Sequence, residues 1–143
     1  MAGEPLPMAL RLGLRAGSVY YFQSRELTSG EPHFFVVVNR EPVTAKLLLL
    51  LTIVTSKVDK VRLRNRERPD TVVEISPKEY NEFKVPSAVD CNVVLEKPLS
   101  ELAGLVRRKE VRYHKDMPAE IFARIKAAMQ ASPLVADELK ALL

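Results

Sequence analysis

Several side chains suited to proton transfer or phosphate binding lie at the ends of apolar runs. Thr55 and Ser56 close the run from Leu47 to Val54 and lead straight into Lys57. His33 opens a second apolar run behind Pro32, and Ser87, Asp90 and Asn92 lie in a third segment. Hydroxyls at such positions can donate to phosphate oxygens, and an imidazole, which titrates near neutrality, can act as base or acid. Lys57, Lys60, Arg62 and Arg64 follow at once and offer cations to a phosphate backbone. Each residue also has a plain structural reading: Thr55-Ser56 as a turn cap, His33 as a half-buried edge residue, the cations as a solvated face.

Other chemistries find no support. The five glycines are scattered, so no phosphate-cradling glycine loop exists. His33, His114 and Cys91 lie far apart without the short spacings of a zinc site. No Gly-x-Ser-x-Gly elbow occurs. The expectation is a domain that works without metal or organic cofactor. Cys91, the lone cysteine, cannot form an internal disulfide and alternates with Val89 and Val93, so it reads as a core residue, and the reducing cytoplasm is the default compartment.

The net charge of +4 is unevenly placed. Residues 57–68 carry Lys57, Lys60, Arg62, Arg64, Arg66 and Arg68 against Asp59 and Glu67. Residues 107–115 carry Arg107, Arg108, Lys109, Arg112 and Lys115 against Glu110. Clustering of this kind suits a polyphosphate partner, with solvated charged surfaces as the alternative.

The elements that must position these groups follow from hydrophobic pattern. With 143 residues, 47% of them hydrophobic and 28% charged, the chain is long and apolar enough for one folded domain. Val19–Gln23 and His33–Asn39 read as strands. The leucine run reads as a longer strand ending at Thr55-Ser56, because Thr52–Thr55 are β-branched and no polar helical face is present. It is far too short to cross a membrane as a helix, which needs about 20 apolar residues. Val61 and Leu63 alternate with Lys60, Arg62 and Arg64, which predicts a strand with three cations in a row on its solvent side.

Thr71–Ile75 and Ala88–Leu95 read as further strands, and Ser76-Pro77 as the cap of a single helical turn. Ser100 is placed to cap a helix through Arg107. Asp116, Pro118 and Glu120 announce another helix, striped by Ile121, Phe122, Ile125 and Met129, and Ser132-Pro133 starts a last one. The expected organisation is a short, loosely ordered leader (1–15), an antiparallel β-domain (16–106) and a helical extension packed on it (107–143).

The succession Gly17-Ser18-Val19-Tyr20-Tyr21-Phe22, then His33–Asn39, then a strand ending in Thr55-Ser56, then Val85-Pro86-Ser87-Ala88-Val89-Asp90-Cys91-Asn92, resembles the PemK/MazF-like toxin family over about residues 16–106. The resemblance implies an SH3-like antiparallel β-barrel, here mainly β with C-terminal helices, and a homodimer. It implies metal-independent endoribonuclease action on single-stranded RNA, restrained by an antitoxin-like partner. Thr55 matches the family's active-site threonine or serine position, with Ser56 beside it. The family commonly carries an Arg-Pro pair at the start of its second strand, and that arginine takes part in catalysis. Here the segment reads Glu31-Pro32-His33, so the arginine is absent. The expected catalytic set is therefore His33 with Thr55 and Ser56, and Lys57, Lys60, Arg62 and Arg64 form the nucleic-acid-binding set. The rival is a non-catalytic module of the same barrel that binds nucleic acid or a protein.

Overall fold

The computed structural model describes residues 5–143 except 26, 28–29 and 44–47. In chain order the elements are α1 (Met8–Gly13), β1 (Val19–Phe22), β2 (His33–Val37), β3 (Leu48–Thr55), α2 (Val58–Arg64) and a 3-10 turn (Pro69–Thr71). They continue with β4 (Val72–Ile75), β5 (Ser87–Asp90), β6 (Leu95–Pro98), α3 (Leu99–Arg107), β7 (Arg112–His114), α4 (Ala119–Ala131) and α5 (Asp137–Lys140). Among the described residues, the seven strands pair antiparallel in one sheet of order β4-β5-β3-β2-β1-β7, with β6 also on β3.

The leucine run forms the central strand. Leu50 and Val54 enter a core shared with Val36, Val73, Val89 and the α4 residues Ile121, Ile125 and Met129. Leu49 and Leu51 enter a second core with Leu10, Phe22, Phe35, Val37, Leu99 and Leu102. Successive side chains of a strand point to opposite faces, so a strand covered on both faces must be apolar at every position. That requirement explains why the run shows no polar face. Asn39 extends the β2–β3 ladder with its side chain, whose Nδ2 donates to the Leu48 carbonyl at 2.7 Å and whose Oδ1 accepts from Leu50 N–H at 3.1 Å.

Four expectations need correction. The 57–68 segment is not a strand: Val58–Arg64 is helical. Two alternating apolar residues are weak support for a period of two, and Lys, Arg and Leu favour helix. Asp59 in the first turn and Arg62 and Arg64 in the last also suit the helix dipole. Only Val61 is buried there, and Leu63 is 64% exposed.

The second correction concerns Ala88–Leu95, which is two strands. β5 pairs with Val54 and Thr55 of β3; the chain then turns at Cys91-Asn92, and β6 rejoins the same edge opposite Leu48–Leu51. Third, the described part of the leader includes a helix packed on the core. α1 sends Leu10 fully into the second core, and Leu14 follows it. Fourth, residues 107–143 are not helical throughout, because β7 pairs with β1 at the sheet edge.

The caps also differ in detail: Pro98, not Ser100, precedes α3, and α5 begins at Asp137. Ser76 and Glu79 do form a reciprocal capping box around one turn, at 3.0 and 3.3 Å.

Because Leu10 is wholly buried, Leu10→Ala is expected to destabilise the protein by about 2–5 kcal/mol. Urea denaturation followed by far-UV circular dichroism checks this; an unchanged midpoint would mean that α1 does not belong to the core.

Candidate nucleic-acid site at the end of the central strand

Phe34 of β2 pairs with Val54 of β3, so the next step of the ladder sets His33 opposite Thr55. Cross-strand partners project from the same face of a sheet, which brings the imidazole and the hydroxyl together. Both line a cleft of about 250 Å³ whose apolar floor is Leu27, Ile53, Val61 and Val93. Lys57, Lys60 and Arg64 form its cationic wall, with the Asp90 carboxylate also lining the cleft beside Arg64.

The wall follows from the helix. Positions 57, 60, 61 and 64 are spaced i, i+3, i+4 and i+7, which is one face of an α-helix. Val61 turns inward and the three cations surround it. Arg62 falls on another face, where its guanidinium forms a two-pronged pair with Glu74, at 2.7 Å from Nε, and lies 3.4 Å from Asp59. Hydrogen bonding to Glu74 raises the Arg62 pKa, and the same contact lowers that of Glu74. The predicted cation row is thus replaced by Lys57, Lys60 and Arg64, and Arg62 lies outside the cleft. Among the described residues, neither Lys57 nor Lys60 has an ion-pair partner.

Local hydrogen bonds orient the two side chains. His33 Nδ1 lies 2.9 Å from the Glu31 carbonyl. A carbonyl can only accept, so Nδ1 is the donor, and in the neutral imidazole the lone pair is on Nε2. Thr55 Oγ1 accepts from the Lys57 backbone N–H at 3.1 Å, leaving its own proton to donate elsewhere. Ser56, the next residue along, points away from this cleft. It lines a neighbouring cleft of about 490 Å³ that also includes His33, Thr55 and Lys57.

Asp90 anchors the wall. Its Oδ2 accepts from Arg64 Nε and Nη2 at 3.1 and 3.0 Å, and its Oδ1 accepts from Asn92 N–H and Nδ2 at 3.1 and 2.9 Å. Asn92 Nδ2 also approaches Asn65 Oδ1 and Thr71 Oγ1, at 3.0 and 2.7 Å, and Ser132 Oγ donates to Asn92 Oδ1 at 2.6 Å. Burial alone would raise the Asp90 pKa, but hydrogen bonds from Asn65, Asn92 and Arg64 outweigh it and hold the carboxyl below its ordinary 3.8. The Asp90 and Asn92 pair singled out in the sequence therefore ties the end of β5 to α2, the 3-10 turn and the end of α4. Ser87 is buried and bonds the Val85 carbonyl at 3.0 Å. Cys91 is fully buried, and burial pushes its thiol pKa up to about 12.

Sequence reasoning missed that β7 brings Arg112 and His114 to the neighbouring cleft. Their alternation around Tyr113 was a signal, but three residues within a basic cluster are too few to announce a strand. Among the described residues no three His, Cys, Asp or Glu side chains converge as a cation site would need. No described helix is long and apolar enough to cross a membrane.

A carboxyl with a depressed folded-state pKa stabilises the fold above its unfolded value and loses that contribution as pH falls through the folded one. Stability should therefore drop on acidification below about pH 4, and less steeply in Asp90→Asn, as read by urea midpoints between pH 6 and pH 3. Asp90→Ala, which strips Arg64, the buried Asn65 and the half-buried Asn92 of their acceptor, should cost about 2–4 kcal/mol. In the native protein at pH 8, Cys91 should resist a thiol reagent and react only in denaturant.

Searched by sequence, the chain matches no protein-family model and no curated protein. Among solved structures, it is similar to a chain of the MazE–MazF complex (Form-III) from Deinococcus radiodurans. Identity is 14%, the match covers 82% of this chain and 94% of that one, and the TM-score is 0.54. At that identity the likeness establishes architecture alone: a mostly antiparallel, MazF-like β-barrel-type fold with added helices.

Proposed function

We propose that this protein is a toxin-like endoribonuclease that cleaves single-stranded RNA without a metal ion, using the cleft at the end of β3. The observation that carries the reading is the convergence of His33, Thr55, Lys57, Lys60 and Arg64 on one cleft of a MazF-like fold. His33 Nε2, freed by the Nδ1 bond to Glu31, takes the proton of a ribose 2′-hydroxyl. The 2′-oxygen attacks the adjacent phosphorus, the P–O5′ bond breaks, and the departing O5′ is protonated from solvent. The products are a 2′,3′-cyclic phosphate and a 5′-hydroxyl. The Thr55 hydroxyl donates to a non-bridging oxygen, and Lys57, Lys60 and Arg64 offset the charge that builds in the transition state. Ser56 contacts the strand from the adjoining cleft.

The neighbouring structure is a MazE–MazF complex. By analogy we place an antitoxin-like protein and a second copy of the chain among the partners. The single buried cysteine supports a reducing, cytoplasmic setting.

One observation favours a second reading, a barrel that binds nucleic acid without cutting it. Glu31-Pro32-His33 stands where the resemblance leads one to expect Arg-Pro, so catalysis rests on the imidazole.

Cleavage of a labelled single-stranded RNA in EDTA tests both. His33→Ala is expected to reduce the rate about 10²–10⁴-fold, and Thr55→Ala to lower it as well. RNA binding with no cleavage by the wild type establishes the second reading instead. Affinity should fall steeply with salt, and Lys60→Ala should flatten the log–log slope by about one; an affinity indifferent to salt would remove RNA from both readings.

A further inference from the structure

Beyond the cation-walled cleft, across the same His33–Thr55 pair, lies the 490 Å³ cleft, and it has a different character. Its wall is aromatic. The Tyr21 and Phe34 rings lie 4.7 Å apart, and the His114 ring stands edge-on to both, 4.8 Å from Phe34 and 6.2 Å from Tyr21. Its rim is polar. Arg112, Lys84 and Lys57 supply positive charge, and Glu82 places Oε1 3.6 Å from His114 Nδ1. Phe83 closes the floor against Phe34 at 4.9 Å.

We infer that this cleft holds one nucleobase of a single-stranded RNA, the base flanking the phosphate at His33 and Thr55. Tyr21 provides the stacking surface, Glu82 accepts from a base N–H, and Arg112 holds the next phosphate. The inference rests on the proposed reading of the neighbouring cleft and adds where the substrate strand runs. Continuity carries it: His33, Thr55 and Lys57 line both clefts, so a strand with its phosphate between them sends its flanking nucleotides to either side. The two sides are chemically unlike. One is a lysine and arginine wall over an aliphatic floor, its carboxylate, Asp90, already engaged by Arg64 and Asn92, and it suits the backbone; the other pairs aromatic faces with the Glu82 carboxylate and suits a base. Glu82 also gives the site a preference. It favours bases that present an amino or imide N–H toward it and disfavours any base edge that offers acceptors alone.

The experiment uses full-length protein and a fluorescent RNA oligonucleotide spanning a mapped cleavage position, with a 2′-deoxy residue at that position to prevent cutting. Anisotropy gives the affinity of the intact oligonucleotide and of two versions abasic on one or the other side of the blocked phosphate. Removing the base that occupies the cleft should weaken wild-type binding roughly tenfold to a hundredfold. In Tyr21→Leu the intact oligonucleotide should already bind that weakly, and the abasic change should add little. Glu82→Gln should alter the ranking among four oligonucleotides differing only at that base, and Arg112→Ala, an exposed change, should weaken all of them alike. Thermal melting confirms that each variant is folded. RNA that the wild type neither binds nor cuts overturns the reading of the first cleft. Normal binding that is indifferent to both abasic changes and to Tyr21→Leu and Glu82→Gln overturns the base subsite alone.

Discussion

The structure depends on a single constraint, the burial of β3 on both faces and its pairing on both edges. Leu49 and Leu51 reach one core while Leu50 and Val54 reach the other. β2 holds one edge, and β5 and β6 share the other. A strand enclosed in this way has little freedom to slip, because a shift of one residue would exchange the contents of the two cores. Its last residue, Thr55, therefore has a fixed address, and so has His33 across the ladder. A site built on rigid strand ends keeps its geometry better than one carried by loops alone.

The second organising feature is the polar knot around Asp90. Buried polar groups are costly unless satisfied, and here satisfaction links segments that are distant in sequence: Arg64 and Asn65, Thr71, Asp90 and Asn92, Ser132. The knot interrupts the ladder between β5 and β6, and the same interruption lets the chain turn beneath α2. It also turns the Arg64 guanidinium against the cleft, with its charge partly balanced by Asp90. Among the described residues, Lys57 and Lys60 are left as the cations of the wall without an ion-pair partner, a division of labour that suits compact ammonium groups.

The C-terminal segment extends the sheet as well as covering it. β7 pairs with β1, and α4 lays Ile121, Ile125 and Met129 on one core. The Tyr80 hydroxyl donates to the Lys115 carbonyl at 2.6 Å, and Glu79 pairs with Arg124 at 3.0 Å. Through this docking, Arg112 and His114 reach a cleft whose other residues come from the first ninety positions of the chain.

Much of this was legible in the residues alone. β1, β2, β3 and β4, the turn at Ser76 and the helix from Ala119 follow from apolar pattern and turn chemistry. Cys91 is a core residue as expected, but it is buried at a turn and not by strand alternation, since Val93 is 43% exposed. Where one rule dominates locally, the sequence suffices. It did not suffice for residues 57–68, where two apolar positions fit a strand and a helix equally well, and the helix prevailed because only Val61 had a core to enter. Nor could it show that His33, Thr55, Lys60 and Arg64 share a cleft while Arg62 does not, or that His114 stands near them. Those facts depend on strand register and on helix phase against a sheet. Both are set by contacts between segments tens of residues apart, so no local pattern records them.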